Sequence, residues 1–335
     1  MFRFKNALAL LLCVASLLTC ASMAPAQTTS EYALLGKIPK SVLDHIAFDA
    51  KPDANGAMQT NVRGWTSVVY QRIAIPLIWT GAVENDSSKV DEAWPAVDLA
   101  LRHQHRDGSF ATGDGKAMPP TDMSLWLEAL CHSILILQES PLREQYAGRI
   151  ASYRPMIRSA IAWLSEDRNL AILQRGDELA VNRLLIDATT FLTASLVLGD
   201  PSLRAHATKF LGEALKHQAP NGTLLEIGGF DSSYQGVSLL HGTYYALRAD
   251  DPALRAALAR ALRLELASID ASGNVDVSRN TRTRGQERVA GQVKTPDLRS
   301  IILGLYYSGL YLGNERAVRT AEKIYTATFH LSPNG

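Results

Sequence analysis

Apolar residues recur along this chain at the three-and-four spacing of one helix face, and no stretch holds the two-residue alternation of a half-buried strand for long. The pattern predicts helices at about 63–80, 89–104, 122–138, 143–164, 178–198, 202–217, 232–248, 252–269, 297–312 and 315–329. Runs rich in Ala, Leu and Arg, such as residues 252–258, have high intrinsic helix propensity. Breakers fall between the proposed helices: Gly199-Asp200-Pro201, Asp250-Asp251-Pro252 and Gly313-Asn314. Short apolar pieces after glycines, such as Thr223-Leu224-Leu225-Glu226, read as small extended segments.

A turn recurs at the ends of helical stretches. Gln104-His105-Arg106-Asp107-Gly108-Ser109-Phe110 is one copy, Gln218-Ala219-Pro220-Asn221-Gly222-Thr223-Leu224 another, and Asp270-Ala271-Ser272-Gly273-Asn274-Val275 a third. Gly108 and Gly222 lie 114 residues apart, Gly222 and Gly273 51 apart, and a degenerate member at 164–169 falls midway across the longer gap. The unit is then roughly 50 residues, long enough for two helices and two connections. One set of connections is long and glycine-rich, the other very short. This predicts an all-α fold, an (α/α) toroid or incomplete α/α barrel of about five helical hairpins, with a linear solenoid as the alternative.

Composition changes the picture mainly at the N-terminus. Arg3 and Lys5, the apolar run 7–18 and Ala24-Pro25-Ala26 read as a signal peptide over residues 1–26, implying export to the periplasm or the extracellular space. Thr19 directly before Cys20 argues against a lipidation site. Residues 27–335 carry 32 Lys and Arg against 33 Asp and Glu, a near-balance that offers no global attraction for nucleic acid or a membrane surface. No later apolar run is read as a membrane span. Cys131 is the one cysteine outside the signal, on an apolar helix, which excludes a disulfide framework and a cysteine zinc site. Without a Pro-, Gly- or Ser-rich linker, 27–335 reads as a single domain.

Chemistry concentrates in three stretches. Residues 226–236, Glu226-Ile227-Gly228-Gly229-Phe230-Asp231-Ser232-Ser233-Tyr234-Gln235-Gly236, end in a possible capping box, Ser232 to Gln235. Tyr234, His241 and Tyr245, spaced by seven and four, share a helix face and form an acid–base set. Residues 278–294 hold five cations and one acid, and Arg279, Asn280 and Arg282 there suit an anionic group. In 103–128, His103, His105 and Asp107 end a helix, Asp122 reads as a cap, Trp126 as a core residue or a sugar platform, and Glu128 as a spare carboxylate. Trp65, Asn182 and Asp187 are lesser candidates. No metal or cofactor is expected. GxSxG, P-loop, dinucleotide and HExxH signatures are absent, and so is the DDxxD motif of terpene cyclases, whose Gln-x-x-x-Gly turns these superficially resemble.

The glycine turns, the segment 229–235 and the arginine-rich loop resemble the α/α-toroid class of secreted bacterial polysaccharide lyases and glycoside hydrolases, over most of residues 60–330. The Asn-Asn-His signature of some alginate lyases is missing. The resemblance implies an acidic polysaccharide or oligosaccharide as partner and a lyase acting on a uronate by β-elimination. Asn280 with Arg279 or Arg282 would neutralise the carboxylate, and His241 or Tyr234 would remove the C5 proton. Asp231 joins Tyr234 and His241 as a catalytic candidate; Trp126, Asp122, Glu226 and Tyr245 join the arginine loop as substrate contacts. The alternatives are a glycoside hydrolase drawing two carboxyls from Asp107, Asp122, Glu128, Glu226 and Asp231, and a non-catalytic glycan-binding or exopolysaccharide-assembly protein.

Overall fold

The computed structural model describes residues 30–47, 49–113, 118–282, 288–289 and 292–329. Residues 1–26, read as a signal peptide, and Arg284 and Glu287 of the arginine loop lie outside the described residues. The fold is all-helical. In chain order the helices are α1 (Glu31–Leu35), α2 (Lys40–Ala47), α3 (Pro76–Glu84), α4 (Ser87–Arg102), α5 (Pro119–Glu139), α6 (Arg143–Leu164), α7 (Asp167–Asp177), α8 (Val181–Leu198), α9 (Arg204–Lys216), α10 (Ser232–Arg248), α11 (Pro252–Ala267), α12 (Leu298–Leu312) and α13 (Glu315–Phe329). Arg288–Val289 and Gln292–Val293 pair as a two-residue antiparallel ladder.

The expected helix over 63–80 is instead two 3-10 stretches, Gln59–Arg63 and Val68–Ala74, followed by α3. Pro76 explains the break: it lacks an N–H, so it fits the first helical position and not the interior. α1, α2 and α7 are additional. Short polar residues open four of the others: Asp86, Asp231, Asp251 and Asp297 accept backbone N–H bonds at the starts of α4, α10, α11 and α12.

Contacts sort the long helices into two rows. In the front row α3 packs on α5, α5 on α8, α8 on α10 and α10 on α12. Each front helix is backed by the helix that follows it: α4, α6, α9, α11 and α13 respectively. α1 touches both α5 and α12, and α2 touches α3. The core lies between the rows, with Trp94, Trp126, Phe191, Phe210, Tyr306 and Tyr307 fully buried. α8 is long and apolar enough to cross a membrane by length and composition, contrary to the sequence expectation, but 83% of it is buried in this protein core.

The glycine turn is the clamp between the rows. In each copy the residue three before the glycine receives the glycine N–H, and donates its own N–H to the residue one beyond the glycine: His105 to Ser109 at 2.8 Å, Ala219 to Thr223 at 2.8 Å, Asp270 to Asn274 at 3.0 Å. A fourth copy sits at Asp53-Ala54-Asn55-Gly56-Ala57, where Asp53 donates to Ala57 at 3.0 Å. Like the Gly273 copy it has Asp three before the glycine and no glutamine four before it. All four glycines have φ between 86° and 99°. Gly56, Gly108, Gly222 and Gly273 rest on the backbones of α4, α6, α11 and α13, and a Cβ on Gly222 would lie 2.6 Å from the Arg260 carbonyl oxygen. The proposed degenerate copy at 164–169 is not such a turn: Asn169 holds the Trp163 carbonyl at 2.7 Å and the chain runs into α7.

Glutamines complete the clamp. Gln104 Nε2 donates to the Gly108 and Met156 carbonyls, and Gln218 Nε2 to those of Gly222 and Ala257. Gln71, on the 3-10 stretch before α3, and Gln235, on α10, act in parallel. Their Nε2 atoms reach the turn glycine (Gly56, Gly222) and the back helix (Ala96, Ala261), while their Oε1 atoms accept from Met58 N and Leu224 N. Gln235 therefore does not close a capping box; Asp231 caps α10 and Gln235 ties the turn to α11.

Gly222→Ala forces both a positive φ and a backbone clash, and should cost more than about 2 kcal/mol. Gly148→Ala, in open space on α6, should stabilise by about 0.5–1 kcal/mol. Urea unfolding of the two variants checks this; equal effects would show that the turn does not clamp.

Candidate functional site

The front helices are parallel in their layering, so each contributes side chains at matching depths. Near their N-terminal ends stand Asp122, Arg183, Tyr234 and Arg299. One to two turns deeper stand Glu128, His241 and Leu303; then His132, Tyr244 and Tyr307; and last Glu139 and Arg248. A cavity of about 250 Å³ occupies the second layer, lined among others by Arg72, Trp79, Glu128, His132, His241, Tyr244 and Arg299.

Glu128 and His241 form its reactive pair. Glu128 Oε1 lies 3.2 Å from His241 Nδ1 across the α5–α10 space. Burial alone would raise the Glu128 carboxyl; His241, with His132 and Arg72, outweighs it and holds the group below its ordinary value. In the tautomer whose Nδ1–H donates to that carboxylate, Nε2 carries the ring's lone pair. Arg72 is exposed and lines the cavity, and Glu128 favours its charged guanidinium. Arg299 faces the same space, 3.3 Å from Asp49.

Beneath the pair the cavity is sealed. His132 stacks on Tyr244 at 3.8 Å, and Tyr244 meets Tyr307 edge-on. Glu31 of α1 is 1% exposed and reaches His132 Nε2 at 2.5 Å and Arg248 at 2.8 Å. Burial would raise Glu31, but His132 and Arg248 overcome it and lower the group. Glu139 binds Arg248, Ser30 Oγ and the Tyr32 N–H, so α1 is tied across the far end.

A second charged group gathers around the start of α10. The residues after the Gly222 turn pair with the α7–α8 link: Val181 N donates to Leu225 O at 3.0 Å, and Ile227 N to Leu179 O at 2.6 Å. Ile227 is 51% exposed with a φ of 49°, a strained conformation for a β-branched residue. This pairing aims Glu226 at Arg282, 3.5 Å away. Arg282 and Lys294 stand 4.5 and 4.6 Å from the centre of the Tyr234 ring. Burial raises Glu226 to about 7, against the pull of Arg282 and Arg183. Arg183 acts electrostatically on both Glu226 and Arg72, which joins this group to the cavity.

The structure groups Tyr234, Glu226 and Arg282 of the predicted residues, places His241 in the cavity, and sorts out the rest. Asp231 is 1% exposed: it caps α10 through Ser233 N and Tyr234 N and binds Lys294 at 2.8 Å, a structural task rather than catalysis. Trp126 is fully buried with its edge against Phe110, so no ring face remains for a sugar. Tyr245 is buried at 5% exposure and does not share the His241 cavity. Asn280 is buried, its Oδ1 accepting from Ser232 N. Arg279 donates to the Ala267 carbonyl and faces a separate cleft with Phe230 and Thr281. Asp122 is not the cap of α5; it sits one turn in, bonded to Ser67 Oγ and Met118 N.

Among the lesser candidates, Trp65 stacks on His103, His105 bonds Ser109, Asp107 folds onto Ser109, and Asn182 accepts from Arg183 N. Asp187 is buried against Ser124, and burial followed by Asp177 pushes it well up. Cys131 is a core residue whose thiol burial pushes up. Arg72, Trp79, Tyr244 and Arg299 escaped the sequence reading. Two spacings pointed to this cluster: His132 lies four after Glu128, and Tyr244 three after His241.

Tyr234 and His241 are separated by seven helical residues, about 10 Å of axis, and Tyr234 does not line the cavity. They do not serve a single pair of reacting atoms. No protein-family model, no curated protein and no solved structure matches the chain.

A folded value of about 7 for Glu226, against an ordinary 4.5, means the folded state holds this proton more tightly. Its stabilising contribution is complete below pH 4.5 and lost as pH rises through 7. Glu226→Gln removes that loss. Relative to the parent, the variant should gain on the order of 2–3 kcal/mol between acid and alkaline pH. Denaturant unfolding across that range measures it, and a pH-independent difference would show that the carboxyl titrates as an exposed one.

Proposed function

We propose that this protein is an exported, periplasmic or extracellular lyase that cleaves a uronate-containing polysaccharide by β-elimination, and that its front helices close into an (α/α) toroid, with α1 and α2 between α12 and α3. The observation that carries the activity is the Glu128–His241 pair in a cavity that Arg72 and Arg299 also line. Neutralising a uronate carboxylate acidifies the C5 proton, and two guanidinium groups suit that task. His241, with Nδ1 fixed by Glu128, takes the proton on Nε2. The C4=C5 double bond forms as the C4–O4 bond breaks, and the imidazolium returns the proton to the departing oxygen. One histidine serves both steps if elimination is syn. Tyr234 is then a positioning residue that holds Arg282 and Lys294 outside the cavity, where they meet more distant anionic sugars.

A second reading rests on Glu226. A buried carboxyl raised to about 7 suits a general acid, as a glycoside hydrolase requires.

Incubation with acidic and neutral polysaccharides, following absorbance near 235 nm and reducing ends together, separates these readings. The lyase raises both. A hydrolase raises reducing ends alone and depends on Glu226; a glycan-binding protein raises neither. His241→Ala should lower kcat by about 10²–10⁴-fold. Tyr234→Phe, which keeps the ring between its cations, should stay within about tenfold of the parent. Full elimination activity in His241→Ala would remove the base from this mechanism.

A further inference from the structure

The cavity that holds His241 is blind, and its shape bears on how a polymer can enter. The floor consists of Ser133 at 0%, His132 at 2% and Tyr244 at 6% exposure. Tyr307, the Glu31–Arg248 pair and the α1 segment from Ser30 to Tyr32 lie beyond it. A volume of about 250 Å³ falls below the roughly 300–1,000 Å³ of sites that enclose drug-sized ligands. It holds one sugar ring, and a chain cannot pass through.

Both the proton acceptor and the two arginines line this cavity, so the sugar inside is the one that loses its C5 proton. Its O4 bond must lead outward, past the exposed Asp49 and Arg72 and the partly exposed Arg299 on the open side of the cavity, because that is where the remainder of the chain finds space. Its C1 side then faces the closed floor. No further sugar can follow on that side.

Resting on the lyase reading above, we propose that the enzyme is exolytic from the reducing end: it accepts a terminal uronate ring and releases it as an unsaturated monouronate in each turnover. The C5–H and C4–O4 bonds of that terminal residue break, its C4=C5 bond forms, and the shortened chain leaves with the proton on its new terminal oxygen.

The test uses the full protein and a uronate polymer that it degrades, in native form and after borohydride reduction, which opens the terminal ring to an alditol. Chromatography with mass detection at low conversion should find unsaturated monouronate as the first product, with viscosity nearly unchanged. The reduced polymer should react at least tenfold more slowly. A ladder of unsaturated oligomers, an early fall in viscosity and equal rates on both polymers would overturn the proposal while leaving the lyase reading intact.

If no substrate yields absorbance near 235 nm, the lyase reading fails, and exolytic elimination fails with it. The blind one-sugar pocket is tested separately, by titrating free D-glucuronate, D-galacturonate and D-mannuronate while following tryptophan fluorescence, since Trp79 lines the cavity. Saturable binding of a monouronate that is lost in Arg299→Ala supports a terminal-uronate pocket. Absence of binding to all three overturns it.

Discussion

At Gly56, Gly108 and Gly222 the chain backbone lies so close to a back helix that no side chain fits between them. The contact needs a positive φ and a missing Cβ together, which glycine alone supplies without strain. Each such turn leads, directly or through a loop, to the start of a front helix. The clamp therefore sets the height at which the front helices begin. That height decides which residues share a layer, and so brings Glu128 of α5 level with His241 of α10. Gln71 and Gln235 reinforce it by satisfying carbonyls of the turn and the back helix at once, in a region where unpaired polar groups would be costly.

Buried charge follows the same layering. Below the cavity, Glu31, His132, Arg248 and Glu139 form one connected network. Such a network contributes little net stability, because desolvation opposes attraction, yet removing one member leaves an uncompensated charge. It specifies where α1 docks. Around the start of α10, Glu226, Arg282, Tyr234, Lys294 and Asp231 form a second network.

Much of the helix map was legible because it depends on local signals. α6, α10 and α13 match their predicted limits, and α4, α5, α8, α9, α11 and α12 lie close to theirs. The failures have physical causes. The stretch before α3 keeps helical periodicity but is broken at Pro76. The turn at Gly56 has the Asp-x-x-Gly spelling of the Gly273 copy but lacks the glutamine of the copies at Gly108 and Gly222, and the backbone hydrogen bonds reveal it. The site was legible in part. His241 and Glu226 stood out as polar residues in unusual settings. Trp126 and Tyr245 also stood out, but chemical type does not say whether a ring faces a cavity or the core.

The sequence by itself determined an all-helical chain, the paired helices, the glycine turns and the stretches in which reactive side chains gather. Those depend on spacing and on the conformational limits of individual residues. Only the tertiary structure decided that Glu128, 113 residues before His241, is its partner, that Asp231 and Asn280 hold a helix start rather than a substrate, and that α1 seals the cavity from below. Pairing across such a distance is set by how helices stack, and stacking depends on the shapes of whole surfaces, which no single window of residues contains.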